Sequence, residues 1–138
     1  MQGVLVDTNI ILDIFTADPH WFEWSNKMLH SYGNQTTLCI NKIIYAEVSV
    51  GFKRIEELEE LLPKDVFLRM SIPWEAAFLA GKAYLKYKMN GGQKASVLSD
   101  FFIGAHAAIA DLALLTRDGH RFKHYFPQLQ IIQPTHSH

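Results

Sequence analysis

The chain has 138 residues, 49% hydrophobic and 20% charged, which fits one folded domain able to bury its own core and excludes a chain disordered throughout. Its single cysteine, Cys39, rules out an internal disulfide or a multi-cysteine zinc cluster and suits a reducing compartment. A formal net charge of −1 excludes a globally basic polyanion binder, so any nucleic acid would have to be held by metal ions or a local basic patch.

Val4 to Val6 is short and apolar and reads as a buried strand, closed at once by the polar Asp7-Thr8-Asn9. Asn9 to Phe15 gives an apolar turn or two of helix before Asp18-Pro19. A helix from His20 to Tyr32 is expected to end at Gly33. Thr36 to Ile40 is a second strand, in which Cys39 is an inert buried thiol, and a helix follows from Asn41 to Phe52. Ile55 to Leu62 is amphipathic and ends at Pro63. Val66 to Met70 is a third strand, and Pro73 starts a long helix running to near Asn90. Ser99 is the expected N-cap of a helix reaching Ala110. Ala113 to Leu115 and Gln130 to Ile132 complete the strands. Short apolar strands alternating with helices predict an α/β fold, a central short-stranded parallel sheet flanked by helices. One domain over residues 1–132 is expected, with a disordered polar tail at 133–138.

Asp7 interrupts the first apolar run, so no secretory signal core is expected. No segment approaches the roughly 20 apolar residues of a membrane helix. A cytoplasmic protein without membrane contact is therefore expected.

Four acids stand out by their settings. Asp7 and Asp118 each follow an apolar strand, and ligands of open parallel sheets gather beyond those strand ends. Glu47 lies on the inward-looking face of its helix, and Asp100 opens Ser99-Asp100-Phe101-Phe102. Carboxylates in such apolar surroundings are rarely buried unless paired or bound to metal. Gathering several raises the cost of ionising each, and a hard divalent cation removes that cost. Mg²⁺ or Mn²⁺ suits an all-oxygen set. Zinc is disfavoured because no His or Cys accompanies the acids at zinc spacing, and an NTPase because no phosphate loop is present. Asp111 shares a helix face with Asp100 but lies ~16 Å further on, too far for the same centre.

The segments Val6-Asp7-Thr8-Asn9, Ala46-Glu47, Ser99-Asp100-Phe101-Phe102-Ile103-Gly104-Ala105-His106-Ala107 and Leu115-Thr116-Arg117-Asp118, followed by Phe122, come in an order that spans nearly the whole chain. In this ordered set the chain resembles PIN-domain proteins, and among them the small VapC-type toxins of prokaryotic toxin–antitoxin pairs. The resemblance implies a PIN-like fold and a catalytic, metal-holding set of Asp7, Glu47, Asp100 and Asp118 with Mg²⁺ or Mn²⁺. It implies hydrolysis of RNA phosphodiesters, with Thr8, Asn9 and Thr116 supporting the acids. It also implies a homodimer and a VapB-like antitoxin as partner.

Arg117, His120, Arg121, Lys123 and His124 form a basic run beside Asp118, in which Arg117, Arg121 and Lys123 are candidates for RNA phosphates; a solvated turn explains the run equally well. Trp21, Trp24 and Met28 fall at helical spacing, as core or as an interface. His106 is expected to be a satisfied histidine rather than a ligand. Two alternatives to the nuclease stand beside it. One is an inactive PIN-like nucleic-acid-binding or assembly module. The other is an aspartate-based phosphatase built on Asp7, weakened because the position two residues on is Asn9 rather than a second acid.

Overall fold

A computed structural model describes residues 2–135. Five parallel strands form one sheet in the order β3-β2-β1-β4-β5. They are β1 (Val4–Val6), β2 (Leu38–Ile40), β3 (Phe67–Arg69), β4 (Ala113–Leu115) and β5 (Ile131–Ile132). The three central strands are fully buried, as a parallel sheet covered on both faces requires. β1 is the centre, with Leu5 opposite Cys39 on one side and Leu114 on the other. The chain builds outward from β1 through β2 to β3, then returns to place β4 on the opposite flank. That reversal opens a crevice between the carboxyl ends of β1 and β4.

Seven helices connect the strands: α1 (Thr8–Phe15), α2 (Phe22–Gln35), α3 (Lys42–Ser49), α4 (Ile55–Leu61), α5 (Trp74–Met89), α6 (Val97–Ile109) and α7 (His120–Tyr125). Asp7 is the N-cap of α1, its carboxylate accepting the Thr8 N–H at 2.8 Å. Asn41 caps α3 by accepting the Ile44 N–H. The helix expected to stop at Gly33 runs through it to Gln35, because the Gly33 position tolerates helix at modest cost. Ser99 is not an N-cap. The α6 helix already begins at Val97, and the Ser99 hydroxyl turns to the Ser96 carbonyl and to Glu47.

The core fills around α6, whose Phe101, Ile103, Ala105, His106 and Ala107 are fully buried. Gly104 has no side chain because the Phe126 and Phe122 rings occupy its place: an added Cβ would meet them at 2.5 and 2.9 Å. This close approach seats α7 and the turn after it against α6. The α5 helix is unusual in its polarity. Its buried side is made of Ala76, Ala80 and Ala83, which lets it lie close to α6, while Trp74, Phe78, Leu85 and Met89 face outward. Asp111 adopts a left-handed φ of 56° just past the end of α6 and is exposed, as expected of a helix-terminal surface acid. Among the described residues no helix is long and apolar enough to cross a membrane. Gln133, at the start of the expected tail, accepts the Gly119 N–H at 3.0 Å, and residues 136–138 lie outside the described range.

Candidate active site and metal centre

The four acids approach one another at the β1/β4 crevice from four different elements. Asp7 ends β1, Asp118 follows β4, Asp100 lies in the first turn of α6 and Glu47 in α3. Asp7, Asp100 and Asp118 line one cavity of about 260 Å³ together with Asn9, His120, Arg121 and Phe122. Glu47 lies close enough to raise the cost of ionising both Asp7 and Asp100.

Asp7 is 6% exposed, and burial is the main reason its pKa rises from 3.8 to about 6. The Thr116 hydroxyl and the Thr8 N–H pull it down, and the charges of Asp100 and Glu47 push it up again. The Asp100 carboxyl is also raised, first by burial and then by Glu47 and Asp118, against the opposing charge of Arg121. Two neighbouring carboxyls that hold protons more tightly than usual mark a place where positive charge is wanted.

The polar residues around the acids fix their orientation. The fully buried Thr116 donates to Asp7 Oδ2 at 2.8 Å, and its oxygen accepts the Asp118 N–H at 3.3 Å. Asn9 donates to Thr116 Oγ1 at 3.2 Å and to Asp7 Oδ2 at 3.4 Å. Thr8 donates to Glu47 Oε1 at 2.6 Å, and Ser99 donates to Oε2 at 3.0 Å. Ser99 was thus a site residue hidden behind its apparent capping role; its place one residue before Asp100 was the available signal.

The basic candidates separate. Arg121 lines the cavity, its Nη1 2.8 Å from Asp100 Oδ2. Lys123 donates to the Leu129 carbonyl at 3.3 Å. Arg117 turns to a buried acid on α1, Asp13, at 2.9 Å. Asp13 was not anticipated from the sequence, although an acid inside the apolar Ile10 to Phe15 run is the kind of signal that singles out the others. Trp24 and Met28 pack half-buried against the core, and Trp21 lies edge-on to Trp24 with centroids 6.1 Å apart. His106 is fully buried. Asn41 Nδ2 lies 3.0 Å from its Nδ1, while Nε2 has no partner among the described residues. A larger, mainly apolar groove of about 700 Å³ lies beyond β2 and β3, lined by Ile40, Tyr45, Ile55, Glu59, Arg69 and Met70.

The donor set is all oxygen and carries more negative charge than its surroundings neutralise, so its chemistry fits Mg²⁺ or Mn²⁺. Among the described residues no three His, Cys, Asp or Glu side chains surround one point closely enough to hold an ion as they stand. Arg121 holds Asp100, and Thr8 and Ser99 hold Glu47, so a cation requires these side chains to turn.

The sequence matches the PIN domain over residues 4–125. The chain belongs to the PIN-domain family. This PIN chain is similar in fold to VapBC2 from Rickettsia felis bound to a promoter DNA fragment, with a TM-score of 0.72, 20% identity and coverage of 94% of this chain and 97% of the other. A toxin–antitoxin complex from Klebsiella pneumoniae gives a TM-score of 0.71 at 24% identity, covering 98% and 100%. FitAcB from Neisseria gonorrhoeae gives 0.70 at 21% identity, covering 97% and 99%. No curated protein matches the chain.

Proposed function

We propose that this PIN-domain chain is a metal-dependent endoribonuclease and the toxin of a toxin–antitoxin pair of the VapC type. The observation that carries the proposal is the shared cavity of Asp7, Asp100 and Asp118 at the strand-order reversal, with Glu47 coupled to two of them. Asp7, Asp100, Asp118 and Glu47 would hold Mg²⁺ or Mn²⁺, which when bound polarises a phosphoryl oxygen and makes water a nucleophile near neutral pH. Thr116 orients the Asp7 carboxylate at the cavity, while Thr8 and Ser99 hold Glu47 beside it until a cation draws it in. Arg121 stands at the cavity wall, where a guanidinium released from Asp100 can meet an RNA phosphate. The position two residues after Asp7 is Asn9, an amide occupied in holding Thr116 and the Arg117 N–H, so it supplies no general acid for an aspartyl-phosphate mechanism.

The test is incubation of the purified chain with a mixed RNA pool in Mg²⁺, in Mn²⁺ and in EDTA, with the products mapped by sequencing. Cleavage with either cation and none in EDTA is expected. Equal cleavage in EDTA would remove the metal from the mechanism, and intact RNA throughout would favour the inactive binding module.

Similarity to a toxin–antitoxin complex supports a VapB-like antitoxin as partner, one that offers a basic side chain to the acids. For the homodimer, the outward face of α5 is a better candidate than Trp21, Trp24 and Met28, which already pack within the chain. An antiparallel pairing of two α5 helices (Trp74–Met89) centred between Gly81 and Lys82 sets Trp74 against Met89 and Phe78 against Leu85 of the second copy. The two-fold match of apolar groups is what an isologous interface needs. A Cβ at Gly81 would meet nothing within this chain, so that point is open to a neighbour. Phe78→Glu is expected to give a folded monomer by light scattering where the wild type is a dimer. An unchanged dimer would move the interface elsewhere.

A further inference from the structure

Arg117 and Asp13 form an ion pair outside the acid cavity in which the carboxylate is buried and the arginine side chain is 30% exposed. Asp13 lies on α1, six residues after Asp7, and is 2% exposed. Its Oδ2 accepts the hydroxyl of the fully buried Ser25 on α2 at 2.7 Å and lies 2.9 Å from Arg117 Nε. The Arg117 guanidinium carbon stands 5.4 Å from the centre of the Trp21 ring, so one face of the cation rests on an aromatic. A buried carboxylate without its cation is strongly disfavoured, which pins the arginine where it is. The backbone is pinned too, since the Arg117 N–H donates to Asn9 Oδ1 at 3.3 Å.

Arg117 sits between the two residues that matter most on this loop. Thr116 before it holds Asp7, and Asp118 after it lines the cavity. Asp118 is exposed, and the segment from Thr116 to Gly119 belongs to no helix or strand. Two contacts restrain Asp118 directly: its own N–H to Thr116, and its Oδ1, which accepts the His120 N–H at 3.4 Å. The side chain of Arg117 ties this loop to Asp13 on α1 and to Trp21, the residue before α2.

We propose that Arg117 is a positioning residue rather than an RNA contact: clamped between Asp13 and Trp21, it fixes the turn from Thr116 to Asp118 and so sets where the Asp118 carboxylate stands relative to Asp7. The proposal rests on the acids being a cation site. Groups that orient metal ligands from behind are commonly worth roughly 10–100-fold in metal affinity.

The experiment compares the wild type with Asp13→Asn, Arg117→Gln, Arg117→Lys and the double variant Asp13→Asn/Arg117→Gln, all first checked for cooperative melting. Three quantities are read: Mn²⁺ affinity by calorimetry, amide hydrogen exchange at Arg117 and Asp118, and kcat and KM on RNA. Asp13→Asn and Arg117→Gln should each weaken Mn²⁺ binding by roughly 10-fold or more, lower kcat with little change in KM, and speed exchange at the two amides. The double variant should be no worse than either single change, because both break the same contact. Arg117→Lys should recover most of the loss. A rise in KM for Arg117→Gln, with a salt dependence reduced by about one ion and unchanged Mn²⁺ affinity and exchange, would make Arg117 an RNA contact and overturn the proposal. Wild-type exchange and Mn²⁺ affinity in Asp13→Asn would overturn it as well. Should Asp13→Asn fail to fold, the contrast between Arg117→Gln and Arg117→Lys carries the test. A wild type that neither binds Mn²⁺ nor cuts RNA defeats the cation-site reading instead, and amide exchange then decides the clamp alone.

Discussion

Asp7→Asn is expected to abolish RNA cleavage and, in the absence of a divalent cation, to make the protein more stable at pH 7. The Asp7 carboxyl titrates at about 6 when folded, against 3.8 as its ordinary value. Between those two pH values the unfolded chain has released a proton that the folded chain still holds. Stability from this group is therefore complete below about pH 4 and is lost as pH rises through about 6. A shift of about two units corresponds to ~3 kcal/mol, an upper bound on what the neutral amide restores at pH 7. The substituted amide keeps an oxygen for the Thr8 N–H, but its NH2 faces the Asn9 NH2 and a Thr116 oxygen that already accepts from Asn9 and Asp118, which offsets part of the gain. The raised carboxyls of Asp100 and Asp13 act in the same direction. Thermal melts of both proteins from pH 4 to 8 check this. The curves should diverge above about pH 5, and saturating Mn²⁺ should stabilise the wild type while leaving Asp7→Asn behind. A stability difference between the two proteins that does not change from pH 4 to 8 without metal would show that Asp7 is ionised at no cost.

Phe101→Ala is expected to cost about 3–5 kcal/mol, a large part of the 5–15 kcal/mol of an ordinary domain. Phe101 follows Asp100 directly and is fully buried. Its ring meets Tyr125 at 5.0 Å, Tyr87 at 5.8 Å, and Tyr84 and Phe126 at 6.3 Å, centre to centre. One ring thus joins α5, α6, α7 and the turn beyond α7. Urea unfolding should show a lower midpoint with an unchanged slope. A loss below ~1 kcal/mol would mean that α6 is held chiefly by the sheet and by Ala76, Ala80 and Ala83.

The sheet and the positions of the acids were legible because each rests on a local signal. An apolar run of three residues followed closely by an acid marks both β1–Asp7 and β4–Asp118, and a carboxylate on an apolar helix face marks Glu47. The α7 helix was not legible, since His120 to Tyr125 is short and mostly polar and is held by Phe122 packing under α6 rather than by helical periodicity. Ser99 resembled a cap because hydroxyls favour helix starts, and only the tertiary approach of Glu47 reveals its other use. The partner of Arg117 lies near the opposite end of the sequence, so a basic run next to an acid suggested phosphate where the fold supplies Asp13. The α5 face was ambiguous for another reason. A helix apolar on both sides does not disclose that its alanines face in and its tryptophan out.

A calorimetric titration of the wild type and of Asp7→Asn with Mn²⁺ at pH 6, repeated in buffers of different ionisation enthalpy, tests the cation site most directly. Asp7 is close to half-protonated at that pH, so binding should expel protons along with forming the complex. The expected result is saturable binding by the wild type with a buffer-dependent heat, and little or no binding by Asp7→Asn. Equal binding by the two proteins, or a wild type that takes up no Mn²⁺, would contradict a metal centre built on Asp7.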